Sequence, residues 1–315
     1  LRHALGYGRV TLVGGSYGSH LALALMRAYP QSIERVLMFG VEGLDHTWDD
    51  PGAQLSTLRR IAAAAEASPE LAPHIPDGGL LAALHTVIDR LEHREAATRL
   101  EHREAATRLD RQPTDSGPVV NAALVRWLAG YQAGNRDRPN AWPEFILDMY
   151  DGDYSVAERA VRSLDTLSMD DPMHYSMDCA SGISPDRATR YAADPARAIL
   201  GDVNFEYAAF CDVWPARDPG AAFRASVVSD IPTLIVHGTW DTSTPIENAR
   251  EVVATLRHGW LIEVDGGTHG ALTNLFSHWD PAYDSIGAFL RGETIEFPAT
   301  VTLPPVRFRA RRAQH

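Results

Sequence analysis

Lysine is absent. All 29 basic side chains among the 315 residues are arginines, which excludes Schiff-base, pyridoxal-lysine and P-loop chemistry, since each needs a lysine amine. Cysteine is scarce: Cys179 and Cys211 stand alone, and their spacing suits neither a CxxC redox motif nor a zinc site. They allow either two free thiols or one disulfide, which would close a loop of about 30 residues and stabilise by roughly 3–4 kcal/mol. No apolar run approaches the ~20 residues of a membrane span. Positive charge is in deficit, and a net charge of −12 argues against general nucleic-acid binding. Arg307, Arg309, Arg311 and Arg312 form a short basic tail that reads as solvated. What remains, 45% hydrophobic and 22% charged residues, can bury a large core and suggests one domain with an insertion.

The most informative stretch is Gly14-Gly15-Ser16-Tyr17-Gly18. Val10-Thr11-Leu12-Val13 before it is rich in β-branched residues and reads as a buried strand. Leu21 to Met26 after it are strong helix formers, and the helix ends near Pro30. Strand, G-x-S-x-G, helix is the context of a nucleophile elbow, where a serine on a sharp turn exposes its hydroxyl. A serine hydroxyl needs a base, and the base needs an orienting acid. Thr233 to Gly238 form a second strand pattern, followed by the loop from Thr239 to Pro245 and a helix from about Ile246 to Leu256. Gly259 to Val264 form a third strand, closed by Asp265-Gly266-Gly267-Thr268-His269-Gly270. Asp241 and His269 thus each follow the carboxyl end of a predicted parallel strand, where open α/β sheets place their sites. The order Ser16, Asp241, His269 is that of α/β-hydrolases. Asp45, beyond the strand at Val36, is a competing acid position.

These motifs resemble the proline iminopeptidase and tripeptidyl aminopeptidase family of α/β-hydrolases. Gly14 to Ser19 resemble that family's elbow, as do Ala28-Tyr29-Pro30 and Val36 to Val41 after it. Asp241-Thr242-Ser243-Thr244-Pro245 with Ala249 resembles its acid loop. Cys211 to Pro215 and Leu303 to Phe308 are similar to secreted tripeptidyl aminopeptidases. The likeness covers residues 1–45 and roughly 200–308. It implies an α/β-hydrolase fold with a helical cap, a Ser16-His269-Asp241 triad, no cofactor, and a secreted or periplasmic protein. Gly201 to Tyr207 bear a likeness to the acidic cap motif of proline iminopeptidases, which makes Glu206 the candidate ligand for a substrate amine.

The expected division is 1–44 for the first part of the core, 45–228 for the cap and 229–315 for the second part. Ser56–Glu66, Val120–Leu128 and Val156–Leu164 are the clearest cap helices. Within the cap, Leu91 to Arg99 recur unchanged as Leu100 to Arg108. Nine residues turn a helix by about 900°, so the second copy faces the opposite side. The doubled Glu-His-Arg-Glu lacks the H-E-x-x-H spacing of a metal motif. One oxyanion donor is expected to be the Tyr17 backbone N–H, and the second belongs to a loop after an earlier strand. The fold normally has strands before the elbow, so a partner in the form of the protein's own N-terminal segment is expected, without which β-pairing would stop at an exposed edge.

The expected chemistry is hydrolysis through an acyl-enzyme on a peptide or small ester. A serine aminopeptidase is the favoured reading. A carboxylesterase is the alternative, and a catalytically silent hydrolase-fold binding protein is a third.

Overall fold

The computed structural model describes residues 2–106, 120–134, 136, 140–164 and 172–309. Strands β1 (Val10–Gly15), β2 (Ile33–Phe39), β3 (Thr233–Gly238), β4 (Gly259–Asp265) and β5 (Thr300–Thr302) form one sheet in that spatial order, every pair parallel. Helix α1 (Tyr17–Ala28) joins β1 to β2. Between β2 and β3 lie α2 (Pro51–Glu66), α3 (Gly79–Ala106), α4 (Ala122–Ala133), α5 (Trp142–Tyr150) and α6 (Ser155–Leu164). The same connection continues through α7 (Pro172–Ser181), α8 (Pro185–Ala192), α9 (Arg197–Leu200), α10 (Phe205–Phe210) and α11 (Ala221–Arg224). Helix α12 (Ile246–Val253) joins β3 to β4, and α13 (Ala271–His278) and α14 (Ala282–Arg291) precede β5. This parallel sheet, flanked by helices and interrupted by a helical cap, has the expected α/β architecture.

The period-two alternation of strand side chains divides the core into two layers. Val36, Met38 and Ile235 face α1 and α12, meeting Leu23, Met26, Ile246 and Val252. Leu37, Leu234, Val236 and Ile262 face the other way, against Leu275, Ile286 and Phe289 from α13 and α14. Covered on both sides, β3 is buried at all six positions, which explains its Leu234-Ile235-Val236 run without alternation. β1 is the sheet's outer strand in this chain, pairing with β2 alone, and its Val13 is 60% exposed.

A third core lies in the cap. On α3, Leu80, Ala83, Leu84, Val87, Ile88 and Leu91 are buried, a stripe at helical spacing. They pack with Leu58 and Ile61 of α2 and with Trp142 and Phe145 of α5. Trp142 is fully buried and donates its indole N–H to Ala129 O at 2.8 Å. Helix α3 runs through most of both repeat copies. Leu91 closes the buried stripe, whereas the side chain of Leu100 lies outside the described residues.

Two sequence expectations change here. The short β5 was not anticipated, because Thr300-Val301-Thr302 is only three residues long. Beyond it the chain does not run free: Asn140 N–H donates to Arg307 O at 2.8 Å, and Arg309 N–H donates to Asn140 O at 2.9 Å. Phe308 is buried against the cap core, and the Arg309 guanidinium pairs with Glu144 at 3.3 Å. Arg307 and Arg309 are solvent-exposed, as expected of the tail, but the backbone there is strapped to Asn140 and the Arg309 guanidinium reaches Glu144. Arg311 and Arg312 lie outside the described residues. Of the two states open to the cysteines, the structure has the disulfide, joining α7 to the end of α10 with Cα atoms 5.0 Å apart.

Candidate active site

Ser16 stands at the end of β1 and start of α1 with φ 53° and ψ −131°, and is the one non-glycine residue with positive φ among those described. Such backbone costs on the order of 1–3 kcal/mol and persists only where its surroundings hold it. Here Ser16 N–H donates to Phe39 O at 3.0 Å, while Ser16 O accepts from Ser19 N–H at 2.8 Å and Ser19 Oγ at 2.6 Å. Gly14 makes the turn possible, since a Cβ there would stand 2.3 Å from Gly18 O. Tyr17 is the first residue of α1, so its N–H has no acceptor inside the helix and is open to an anionic oxygen.

Asp241 and His269 meet across the ends of β3 and β4. His269 Nδ1 donates to Asp241 Oδ2 at 2.9 Å, and Oδ1 is 3.1 Å away. Asp241 is completely buried. Ser243 and Thr244 N–H donate to its Oδ1 at 3.0 and 2.9 Å, and Thr244 Oγ1 to its Oδ2 at 2.8 Å. Burial pushes this carboxyl up, but hydrogen bonds from His237 and His269 outweigh it and hold it below the usual carboxylate range. The same bond to Asp241, opposed by burial, raises the His269 pKa. Beneath them, buried His237 accepts from Val41 N–H on Nδ1 at 3.0 Å. Its proton therefore sits on Nε2, which donates to Thr244 O at 2.7 Å and fixes the acid loop. Gly40, with φ +52°, leaves the space His269 occupies: a Cβ there would lie 2.9 Å from His269 Cε1.

Asp45 is engaged elsewhere. It accepts from Ser184 N–H and Oγ at 2.7 and 2.6 Å and from Arg187 Nε at 3.2 Å. Arg187 also pairs with Glu251, which in turn lies 3.1 Å from His46 Nε2. This network ties the β2 loop, α8 and α12 together.

A family model described as TAP-like protein matches residues 198–291, the stretch that contains Asp241 and His269. The chain has the α/β-hydrolase fold. Solved structures similar to it include a serine hydrolase from Cycloclasticus zankles, at 13% identity over 92% of this chain and 67% of that one, with a TM-score of 0.36. An esterase from Exiguobacterium antarcticum matches at 13% identity over 92% and 69%, TM-score 0.33. A meta-cleavage product hydrolase from Pseudomonas fluorescens matches at 11% over 93% and 68%, TM-score 0.34.

Between the sheet of this α/β-hydrolase and its cap helices lies a cavity of about 570 Å³, which Ser16 and Tyr17 line. Gly201, Asp202, Val203, Phe205 and Tyr207, from the cap stretch that resemblance singled out, line it too; sequence reasoning did not anticipate the acidic side chains beside them. Glu42 and Asp49 enter from the loop after β2, Asp178 from α7, and Tyr207 from α10. Burial, then Asp178 and Asp49, push Glu42 up to about 8, while burial and Asp178 push Asp49 up to about 7. Glu206, the amine ligand expected from resemblance, sits on α10 between Phe205 and Tyr207. Its own side chain lies outside the described residues. Among the described residues no group of three or more His, Cys, Asp and Glu side chains converges as a metal site.

Proposed function

We propose that this chain is a serine hydrolase that releases residues or short peptides from unblocked N-termini. The observation that carries the reading is the acidic wall of the cavity at Ser16. Glu42, Asp49 and Asp178 face the space beside the nucleophile, and a free ammonium entering there meets carboxylates instead of water. An acyl chain or neutral ester has no use for such a wall, because buried carboxyl groups are costly unless a cation or hydrogen-bond donor meets them.

In this reading Ser16 Oγ attacks the scissile carbonyl carbon while His269 takes its proton. The tetrahedral oxyanion is held by Tyr17 N–H, the first N–H of α1. Collapse breaks the C–N bond as His269 returns the proton to the leaving amine, and water then hydrolyses the acyl-enzyme by the same base. Asp241 holds the imidazole tautomer and stabilises its cation. Residues 45–228 act as the roof that selects the substrate.

The test is kcat/KM of the full-length protein for a tripeptide p-nitroanilide, free and N-acetylated, with Ser16→Ala as the blank. A preference of 100-fold or more for the free amine, about 2.7 kcal/mol of transition-state discrimination, is expected. Equal rates on both substrates assign the chain to the carboxylesterases. No rate above the Ser16→Ala blank on peptide or ester assigns it to the silent binding proteins.

A further inference from the structure

We propose that Glu42 is the principal ligand of the substrate's N-terminal ammonium group, with Asp49 and Asp178 as the flanking carboxylates of the same seat. The proposal rests on the aminopeptidase reading above. It assigns the role to the loop after β2 and not to α10, where resemblance had pointed.

Glu42 is only 8% exposed, and its Oε1 is buried with no hydrogen-bond partner, yet the residue lines the cavity that holds Ser16. A buried acceptor without a donor costs about 1–3 kcal/mol, more when charged; the Thr47 hydroxyl is the nearby neutral donor, and an ammonium reaching the cavity-facing part of the carboxyl would supply the charge that the protein does not. The cations nearby are committed elsewhere. His20 Nδ1 lies 3.5 Å from Glu42 Oε1, but its proton goes to Gly43 O at 3.1 Å and burial lowers its pKa to about 4, leaving it neutral. His46 faces Glu251. Arg126, across the cavity, donates to Ile199 O and pairs with Glu92 at 2.7 Å.

The backbone also ties this acid to the nucleophile. Glu42 N–H donates to Ser19 Oγ at 2.8 Å, and Ser19 Oγ donates to Ser16 O at 2.6 Å. One small hydroxyl thus fixes the elbow and the Glu42 loop to each other, holding the proposed ammonium seat in register with the attacking oxygen. Asp49 and Asp178 line the same cavity and interact electrostatically with Glu42. An ammonium group can meet several acceptors at once, because its three N–H bonds point in three directions. Three carboxylates facing one another without a cation repel, which favours the protonated form of some of them when the seat is empty. Ammonium binding reverses that preference and expels a proton.

The experiment compares wild type, Glu42→Gln, Glu42→Asp and Asp178→Asn on free and N-acetylated tripeptide p-nitroanilide. The expected result is that Glu42→Gln collapses the free-to-acetylated ratio of kcat/KM from 100 or more to below about 5, chiefly through KM. Glu42→Asp, keeping the charge, should retain part of the ratio. A wild-type preference that persists in Glu42→Gln, or equal losses on both substrates, overturns the seat while leaving the aminopeptidase reading intact. No preference in wild type overturns that reading itself. A second measurement does not depend on the Glu42 variants folding. Binding of tri-alanine amide to Ser16→Ala protein at pH 7, followed by calorimetry in two buffers of different ionisation heat, should release about one proton per peptide. Binding with no proton release overturns the proposal.

Discussion

Gly40 matters for what it lacks. Its φ of +52° and the 2.9 Å that would separate its Cβ from His269 Cε1 make the missing methyl a condition of the imidazole's position. Gly40→Ala is expected to displace His269 from Asp241 and lower kcat for p-nitrophenyl butyrate by roughly 30-fold or more, about 2 kcal/mol. The pH profile gives a second check. A base must be unprotonated, so activity falls as pH drops through the His269 pKa. Asp241 raises that pKa, so weakening the pair should move the acidic limb to lower pH. An unchanged limb with an unchanged rate would show that the site absorbs the methyl.

At this scale the pairing of Asp241 with His269 and the sharp turn at Ser16 were legible because each follows a strand signal by one short loop; their joint catalytic role is part of the proposal. Gly40 carried the same signal, a glycine directly after the strand at Val36, but a lone glycine does not say what fills its space. Glu42, Asp49 and Asp178 were not legible. Two come from one loop and one from a helix more than a hundred residues later, and only the cap's folding brings them to the same cavity.

Among the elements, α8 shows how the cap is fastened. Ser184 accepts from Arg187 N–H at its start, and Arg187 reaches out to Asp45 and Glu251. Arg187→Met leaves Asp45 half-buried without its cation. Loss of a buried partner costs about 3–5 kcal/mol, and the exposure of Glu251 argues for the lower end. The urea midpoint should fall accordingly, with α8 the first site of limited proteolysis. An unfolding free energy within 0.5 kcal/mol of wild type would mean that the network contributes little. Strong local periodicity made β1 to β4 and α2, α4 and α6 readable from the residues. β5 was not readable, because three residues carry too little pattern and its pairing with β4 is what makes it a strand. The repeat in α3 misled in neither direction: the described helix runs through the first copy and most of the second, and its described apolar face ends at Leu91.

For the whole molecule, the order of the strands follows the order of the chain, so the long connection from β2 to β3 must leave the sheet and return. Its helices share one core with Trp240 and Phe308 from outside the cap. Sheet and cap are therefore packed as one body, with Ser16 beneath the join. The bridge between Cys179 and Cys211 acts within the cap, away from the sheet. Cys179 follows Asp178 directly, Cys211 caps the helix that carries Tyr207, and the Asp178 and Tyr207 side chains are hydrogen-bonded. Ser16, Asp241 and His269 stand on strand ends that the bridge does not touch. Reduction should therefore loosen recognition while leaving bond-breaking in place. With dithiothreitol, or in Cys179→Ser/Cys211→Ser protein, the free-amine preference is expected to fall at least tenfold, while p-nitrophenyl butyrate is turned over at most of its former rate. Parallel loss of both activities would refute this. If the two part company, the thiol balance of the surroundings governs which molecules are cut: an oxidising medium yields a selective exopeptidase, and a reducing one yields a broad esterase made of the same chain.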